Sequence, residues 1–220
     1  MIRITAFSWV PPFAQGLVRD LRPRWALEEA GIPYETEFVD QDSIKAKAYR
    51  KRQPFGQVPV LEDGDLSLFE SGAMVLHIAE KSPVLLPKDE AGRARARVWV
   101  FAALNSIETH VQNLATIDLF NADKAWAKER RPEVLTMLKE RLENLNAWME
   151  NREYLEDNRF TAADLVMTTV LRILRHTDLL SKDFPKLGEY VKRCEARPAF
   201  KRALEAQMKV FAENAPLSAS

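Results

Sequence analysis

Apolar and polar residues alternate over positions 2–7, with Ile2, Ile4 and Ala6 against Arg3, Thr5 and Phe7, and this predicts a strand. Positions 24–30 then read as helix, stopped by Gly31 and Pro33. Alternation returns at 34–39, and 43–52 reads as a short polar helix. Apolar runs at 58–61 and 66–69 flank Asp63-Gly64, the strongest short-range hairpin signal, and 71–81 is helical. The predicted order is βαβ, helix, ββ, α.

Beyond residue 88 the period is helical throughout. Phe101, Leu104, Val111 and Leu114 make one stripe, and Leu135, Leu138, Leu142, Leu145 and Met149 a second. Positions 165–174 are apolar nearly all round, which predicts a helix buried at the centre of a bundle. Phe200, Leu204, Met208 and Phe211 mark a last amphipathic helix, and 216–220 read as a frayed end. Most of the 12 prolines and 7 glycines precede residue 88. The pattern predicts an α/β domain over 1–82, a proline-bounded linker over 83–90 and an all-helical domain over 91–220.

Charge and composition narrow the functions. With 32 basic and 32 acidic residues the net charge is zero, without the basic footprint of a nucleic-acid binder. The longest apolar runs fall far short of the ~18–20 residues that span a bilayer, so no membrane partner is expected. The N-terminus alternates instead of showing an apolar block, and the one cysteine, Cys194, allows no intrachain disulfide; both favour the cytoplasm. His77, His110 and His176 show no paired ligand spacing, so no metal is expected. Thr161-x-x-Asp164, between Phe160 and Leu165, reads as a capping box with a hydrophobic staple and is assigned to stability.

The stretch that carries chemistry is 54–61 followed by 69–73. Pro59 stands where a strand should begin and cannot donate to a ladder. It makes sense if the Val58–Pro59 bond is cis, turning the N–H and C=O of Val58 outward to pair with an extended peptide. Ser71 opens a helix, whose free N–H groups and positive dipole end favour a carboxylate. Together these describe a site for a small acidic peptide.

These same residues resemble the glutathione transferase family. Gln57-Val58-Pro59-Val60-Leu61 looks like its cis-proline strand, and Glu70-Ser71-Gly72-Ala73 like its γ-glutamyl-binding turn. Residues 24–35 resemble its first helix and second strand, and 160–165 the capping motif of its central C-terminal helix. The resemblance runs over nearly the whole chain in order. It implies a thioredoxin-like α/β domain (βαβ-α-ββα), an all-α helical bundle domain, glutathione as co-substrate and a homodimer. It further implies that Val58 pairs with the cysteinyl unit, that Pro59 shapes the strand, and that Glu70 takes the ammonium and Ser71 the carboxylate. Gln57 is implied for the peptide backbone.

Conjugation to a small apolar electrophile requires the glutathione thiol, ordinarily near 8.5, to ionise at neutral pH. In the family the sulfur's hydroxyl or thiol partner follows the first strand, as Tyr, Ser or Cys. No Tyr precedes Tyr34 here and no Cys precedes Cys194, so the carry-over points to Ser8. Gln15 and the backbone N–H groups of the long apolar loop 9–17 are the other donors within reach of that position. The resemblance also implies an acceptor pocket lined by Trp9, Val10, Phe13, Trp99 and His110. Two other readings share the fold: a non-catalytic binding or interaction protein, and a glutathione-dependent disulfide or peroxide reductase.

Overall fold

Strand β1 (Ile2–Phe7) is central to the first of two compact units in the computed structural model, which describes residues 1–156 and 158–216. It pairs in parallel with β2 (Tyr34–Val39), from Ile2 opposite Tyr34 to Phe7 opposite Val39. On its other side it pairs antiparallel with β3 (Leu61–Asp63), which turns through Gly64 into β4 (Leu66–Leu68). The sheet order is β2-β1-β3-β4. Gly64 adopts φ 63°, the left-handed conformation that a tight hairpin turn demands.

Helix α1 (Leu21–Ala30) links β1 to β2 and buries Trp25, Ala26 and Leu27; α3 (Ser71–Ala79) follows β4 and buries Met74, Val75 and Ile78. The helix expected over 43–52 is divided. A 3-10 turn (Ser43–Lys45) precedes α2 (Lys47–Arg50), because Ala46 between them is extended. Loop residues 11–17 fold as successive turns, with Ala14 N–H bonded to the Pro11 carbonyl at 2.9 Å and Leu17 N–H to the Ala14 carbonyl at 3.0 Å. Since α1 starts only at Leu21, Pro23 lies in its first turn, where no intrahelical bond is lost.

The first unit comprises residues 1–85 together with the chain from Arg197 onward. Its last helix, α9 (Pro198–Glu213), was expected with the helical part over 91–220, yet it packs on α1. Phe200 meets the Trp25 ring edge-on at 4.8 Å, and Arg197 grips Glu29 through two bonds of 2.6 and 2.7 Å. Gln207 donates to the buried Asp20 carboxylate at 2.7 Å, which Arg24 also holds at 2.7 Å. Burial pushes the Asp20 carboxyl above its usual range, against the pull of Arg24. Gln207 thus takes the buried place that periodicity gave to Met208, which is 36% exposed. Of the end expected to fray, residues 217–220 lie outside the described residues.

The second unit, residues 86–196, is helical: α4 (Glu90–Phe101), α5 (Glu108–Phe120), α6 (Ala125–Trp148), α7 (Ala162–Leu171) and α8 (Pro185–Glu195). A π-helical stretch, Ala102–Ile107, joins α4 to α5 and shifts the apolar register, so Phe101 is exposed while Val111 and Leu114 are buried. Leu138, Leu142 and Leu145 are buried on α6, and every residue of α7 is buried. Among the described residues no helix is long and apolar enough to cross a membrane.

The expected capping box opens α7: Thr161 accepts from the Ala163 N–H, and Asp164 accepts from the Thr161 N–H at 2.9 Å. Asp164 also accepts from the Leu155 N–H at 2.9 Å and the Tyr190 hydroxyl at 3.0 Å, binding helix start, loop and α8 together. Burial pushes its carboxyl up to about 6, and the converging donors keep it from rising further. Because the native state holds this proton where the unfolded chain has released it, stability is lost as pH rises from about 4 through about 6. The loss is on the order of 3 kcal/mol. Denaturant titrations should therefore show the stability difference between wild type and Asp164→Asn moving by that amount in the variant's favour from pH 4 to pH 7. A difference independent of pH contradicts this account.

Candidate functional site

The pairing of β1 with β3 continues past its last ladder residue. Thr5 N–H donates to the Val60 carbonyl at 2.9 Å, and Val60 N–H donates to the Thr5 hydroxyl at 2.8 Å. Residues entering β3 therefore lie beside the C-terminal end of β1, while the pairing of Leu61 with Leu68 brings the exit from β4 to the same end. Ser8, the Gln57–Pro59 segment and the Glu70–Ser71 pair are gathered there. The Val58–Pro59 bond is cis. The backbone N–H and C=O of Val58 have no partner among the described residues, so the ladder stops at Val60 and leaves one peptide unit for an incoming strand.

A hydroxyl relay holds this segment. Tyr49, buried on α2, donates to the Gln57 carbonyl at 2.7 Å and lies 3.0 Å from the Thr5 hydroxyl. A carbonyl can only accept, so the tyrosine proton goes to Gln57 and Thr5 must donate to Tyr49. Thr5 in turn accepts from Val60, so one relay clamps both flanks of Pro59. Burial pushes the Tyr49 hydroxyl above its usual value and keeps it a donor.

At the other side, the N-cap of α3 is Glu70, not Ser71. Glu70 sits at φ 71°, a left-handed conformation that costs a non-glycine residue on the order of 1–3 kcal/mol and that clusters at ligand sites. Its carbonyl starts the helix by accepting from Met74 N–H at 3.0 Å, and its side chain is exposed. Ser71 is buried, and its Oγ accepts from an Arg22 Nη at 3.1 Å. Because Oγ acts as acceptor toward Arg22, its own proton remains to be donated to an acceptor beside the first turn of a helix whose N-cap side chain makes no capping bond. A carboxylate suits that position.

Ser8 ends β1: its N–H donates to the Val39 carbonyl at 3.2 Å, and its hydroxyl has no partner among the described residues. Several of the other donors expected there are committed, while the backbone N–H groups of Trp9 and Val10 have no partner among the described residues. Gln15 gives its amide to the Val10 carbonyl at 3.0 Å, and the first N–H groups of α1, at Leu21 and Arg22, bond back to Val18 and Arg19 at 3.0 and 3.1 Å. Of the expected acceptor-pocket residues, Trp9 is half-buried, Val10 buried and Phe13 exposed, all on the loop after β1. Trp99 and His110 belong to the second unit, where the Trp99 ring packs on Trp148 at 5.0 Å and His110 is half-buried on α5. Among the described residues no group of three His, Cys, Asp or Glu side chains could hold a metal.

Thr5, Tyr49 and Arg22 were not among the residues expected from sequence. Each acts through a partner far along the chain, so no local pattern marks them. The one available signal was polarity in the wrong place, since Thr5 and Arg22 interrupt otherwise buried faces.

Comparison with known proteins agrees with this geometry. Residues 7–80 match the glutathione S-transferase N-terminal domain, and residues 104–198 the glutathione S-transferase C-terminal domain. The chain is 31% identical to glutathione S-transferase F14 of Arabidopsis thaliana, over 80% of this chain and 75% of that protein. It is likewise 31% identical to glutathione S-transferase 4 of Zea mays, over 89% of both. A glutathione transferase from Burkholderia graminis, solved with two glutathione molecules bound per subunit, superposes with a TM-score of 0.80 at 24% identity, covering 93% of this chain and 88% of that one. A Pseudomonas putida glutathione transferase, solved with one glutathione disulfide per subunit, gives 0.80 at 20% identity, covering 93% and 90%. This chain belongs to the glutathione S-transferase family.

Proposed function

We propose that the protein is a cytoplasmic glutathione transferase that ionises the thiol of glutathione and joins it to a small apolar electrophile. The observation that carries this reading is the unpaired Val58 peptide unit beside the cis bond, a few residues of sheet away from the Glu70–Ser71 turn. A γ-linked tripeptide matches the array. Its cysteinyl unit pairs with Val58, its γ-glutamyl carboxylate takes the Ser71 proton and the α3 N–H groups, and its ammonium meets Glu70. Gln57, which is exposed, is assigned to the remaining backbone. The sulfur then lies toward the end of β1, where the Ser8 hydroxyl donates to it and favours the thiolate. Ionisation releases the thiol proton to solvent; the thiolate forms a carbon–sulfur bond as the electrophile's leaving group departs or its double bond accepts the electron pair. Trp9, Val10 and Phe13 offer apolar surface for that electrophile, and Trp99 and His110 remain proposed for the same role.

A homodimer is part of the proposal. Phe55 is 63% exposed and meets Phe69, itself 39% exposed, edge-on at 6.1 Å, an aromatic pair that a second copy would cover. A second reading, glutathione-dependent disulfide reduction, is favoured by the bound states of the Burkholderia and Pseudomonas proteins. In that reading the bound glutathione thiolate attacks the glutathionyl sulfur of a mixed disulfide, forming glutathione disulfide and releasing the other thiolate.

Two variants test the assignment. Ser8→Ala should lower kcat/KM for conjugation to a chloronitrobenzene by about 100-fold, the effect of losing one donor to a developing anion. It should also return the bound thiol, followed by thiolate absorbance, toward its free value. Wild-type turnover in Ser8→Ala would remove that residue from the chemistry; disulfide reduction with no conjugation would select the second reading. Tyr49→Phe deletes the relay at the cost of one oxygen and should raise KM for glutathione by roughly 5- to 10-fold while kcat stays within about 2-fold. An unchanged KM would contradict the clamp.

A further inference from the structure

One turn of chain touches both walls of the candidate site. Val18, half-buried ahead of α1, packs on the buried cluster of Val39, Ile44, Tyr49, Val58 and Val60, which supports the segment entering β3. Arg22, on the same turn, donates to the Ser71 hydroxyl at the opening of α3. Leu21 N–H bonds back to the Val18 carbonyl at 3.0 Å and Arg22 N–H to the Arg19 carbonyl at 3.1 Å, so residues 18–22 turn as a unit. A shift of this turn moves the support of Val58 and the donor to Ser71 together.

The turn is anchored from the last helix. On α9, Ala203, Gln207 and Phe211 stand four apart on one buried face. Gln207 is 1% exposed, and its amide nitrogen donates to the Asp20 carboxylate at 2.7 Å and to the Val18 carbonyl at 3.3 Å. These two bonds use both amide hydrogens, while Oε1 is buried with no hydrogen-bond partner. A buried acceptor without a partner forfeits the hydration it has in the unfolded chain, a penalty that a methionine in this row would not carry. Packing therefore does not account for a glutamine at 207; what its amide holds does. Asp20 is equally buried, with Arg24 on one carboxylate oxygen and Gln207 on the other. Burial raises its carboxyl, and Arg24 and then Gln207 draw it back toward the charged form.

We infer that Gln207 is a positioning residue for glutathione: from the last helix it fixes the 18–20 turn, and through that turn the placement of the Val58 peptide unit against the Ser71 hydroxyl. This role rests on the glutathione reading of the site, and every residue it uses lies in the first unit.

Calorimetric titration of the full chain with glutathione, beside thermal unfolding and turnover of a chloronitrobenzene, tests it. Gln207→Met nearly keeps the side chain's length and volume and removes both donated bonds. It should weaken glutathione binding by roughly 5- to 10-fold and raise KM for glutathione by the same factor, with kcat within about 2-fold of wild type. Gln207→Asn, the milder variant, keeps the amide but withdraws it by one methylene, and should weaken binding by about 3-fold. Phe200→Leu is the control: it loosens the same helix on α1 at Trp25 and lowers the unfolding temperature, yet should leave glutathione binding within about 2-fold of wild type. A folded Gln207→Met that binds glutathione like wild type overturns the assignment, as does Gln207→Asn doing so where the first variant does not fold. Phe200→Leu weakening binding as much as Gln207→Met also overturns it, by making the effect a general loosening of α9. A wild type that binds no glutathione overturns the reading of the site itself, and this role with it.

Discussion

The hydroxyl of Tyr49, set between Thr5 and the Gln57 carbonyl, is the contact on which the site depends. A sheet that ended simply at Pro59 would leave residues 57–59 a loose connection, because proline cannot donate to the ladder. The relay replaces the missing ladder bonds with side-chain bonds to either flank. Val58 is thereby held at the sheet with its own polar groups unspent. Buried backbone groups are almost always paired, so an unpaired peptide unit in an ordered segment is a place for a ligand strand. The proposed recognition surface is made of backbone, and side chains fix where that backbone lies.

The same economy is visible at the opposite wall. Arg22 is buried at the start of α1 and acts on Ser71, forty-nine positions away, by donating a hydrogen bond to its hydroxyl oxygen. Asp20, two residues earlier, ties the start of α1 to Arg24 and to Gln207 of α9. The last helix thus steadies the helix that carries Arg22. Glu70, between the hairpin and α3, holds an unfavourable backbone conformation. Strain, buried charge and an unpaired peptide all occur within this end of the sheet, as expected where function competes with stability.

Much of this was legible in the chain. Asp63-Gly64 marked the hairpin, the alternation marked both long strands, and Thr161-x-x-Asp164 marked the start of α7, because each is local chemistry with a local outcome. Val58-Pro59 and Glu70-Ser71 were legible as a pair, since hairpin geometry brings the two flanks of one turn together. What was not legible is long-range. The stripe on α9 showed that it was amphipathic but not that its apolar face belonged to α1, and Gln207 in that face contradicts any hydropathy rule. The helix read over 24–30 begins earlier, at Leu21, and the turns over 11–17 lead into it so that Pro23 falls in its first turn. Phe101 looked like core because the π-helical stretch that turns it outward leaves no mark in a 3.6-residue period.

The central claim is that the Val58 peptide unit receives the ligand. Amide resonances followed during titration with glutathione measure it most directly. The account predicts that the Val58 N–H moves strongly downfield and gains protection from exchange, together with Ser71 and Gly72, while amides of the second unit stay in place. Glutathione binding that leaves the Val58 amide unshifted would contradict it.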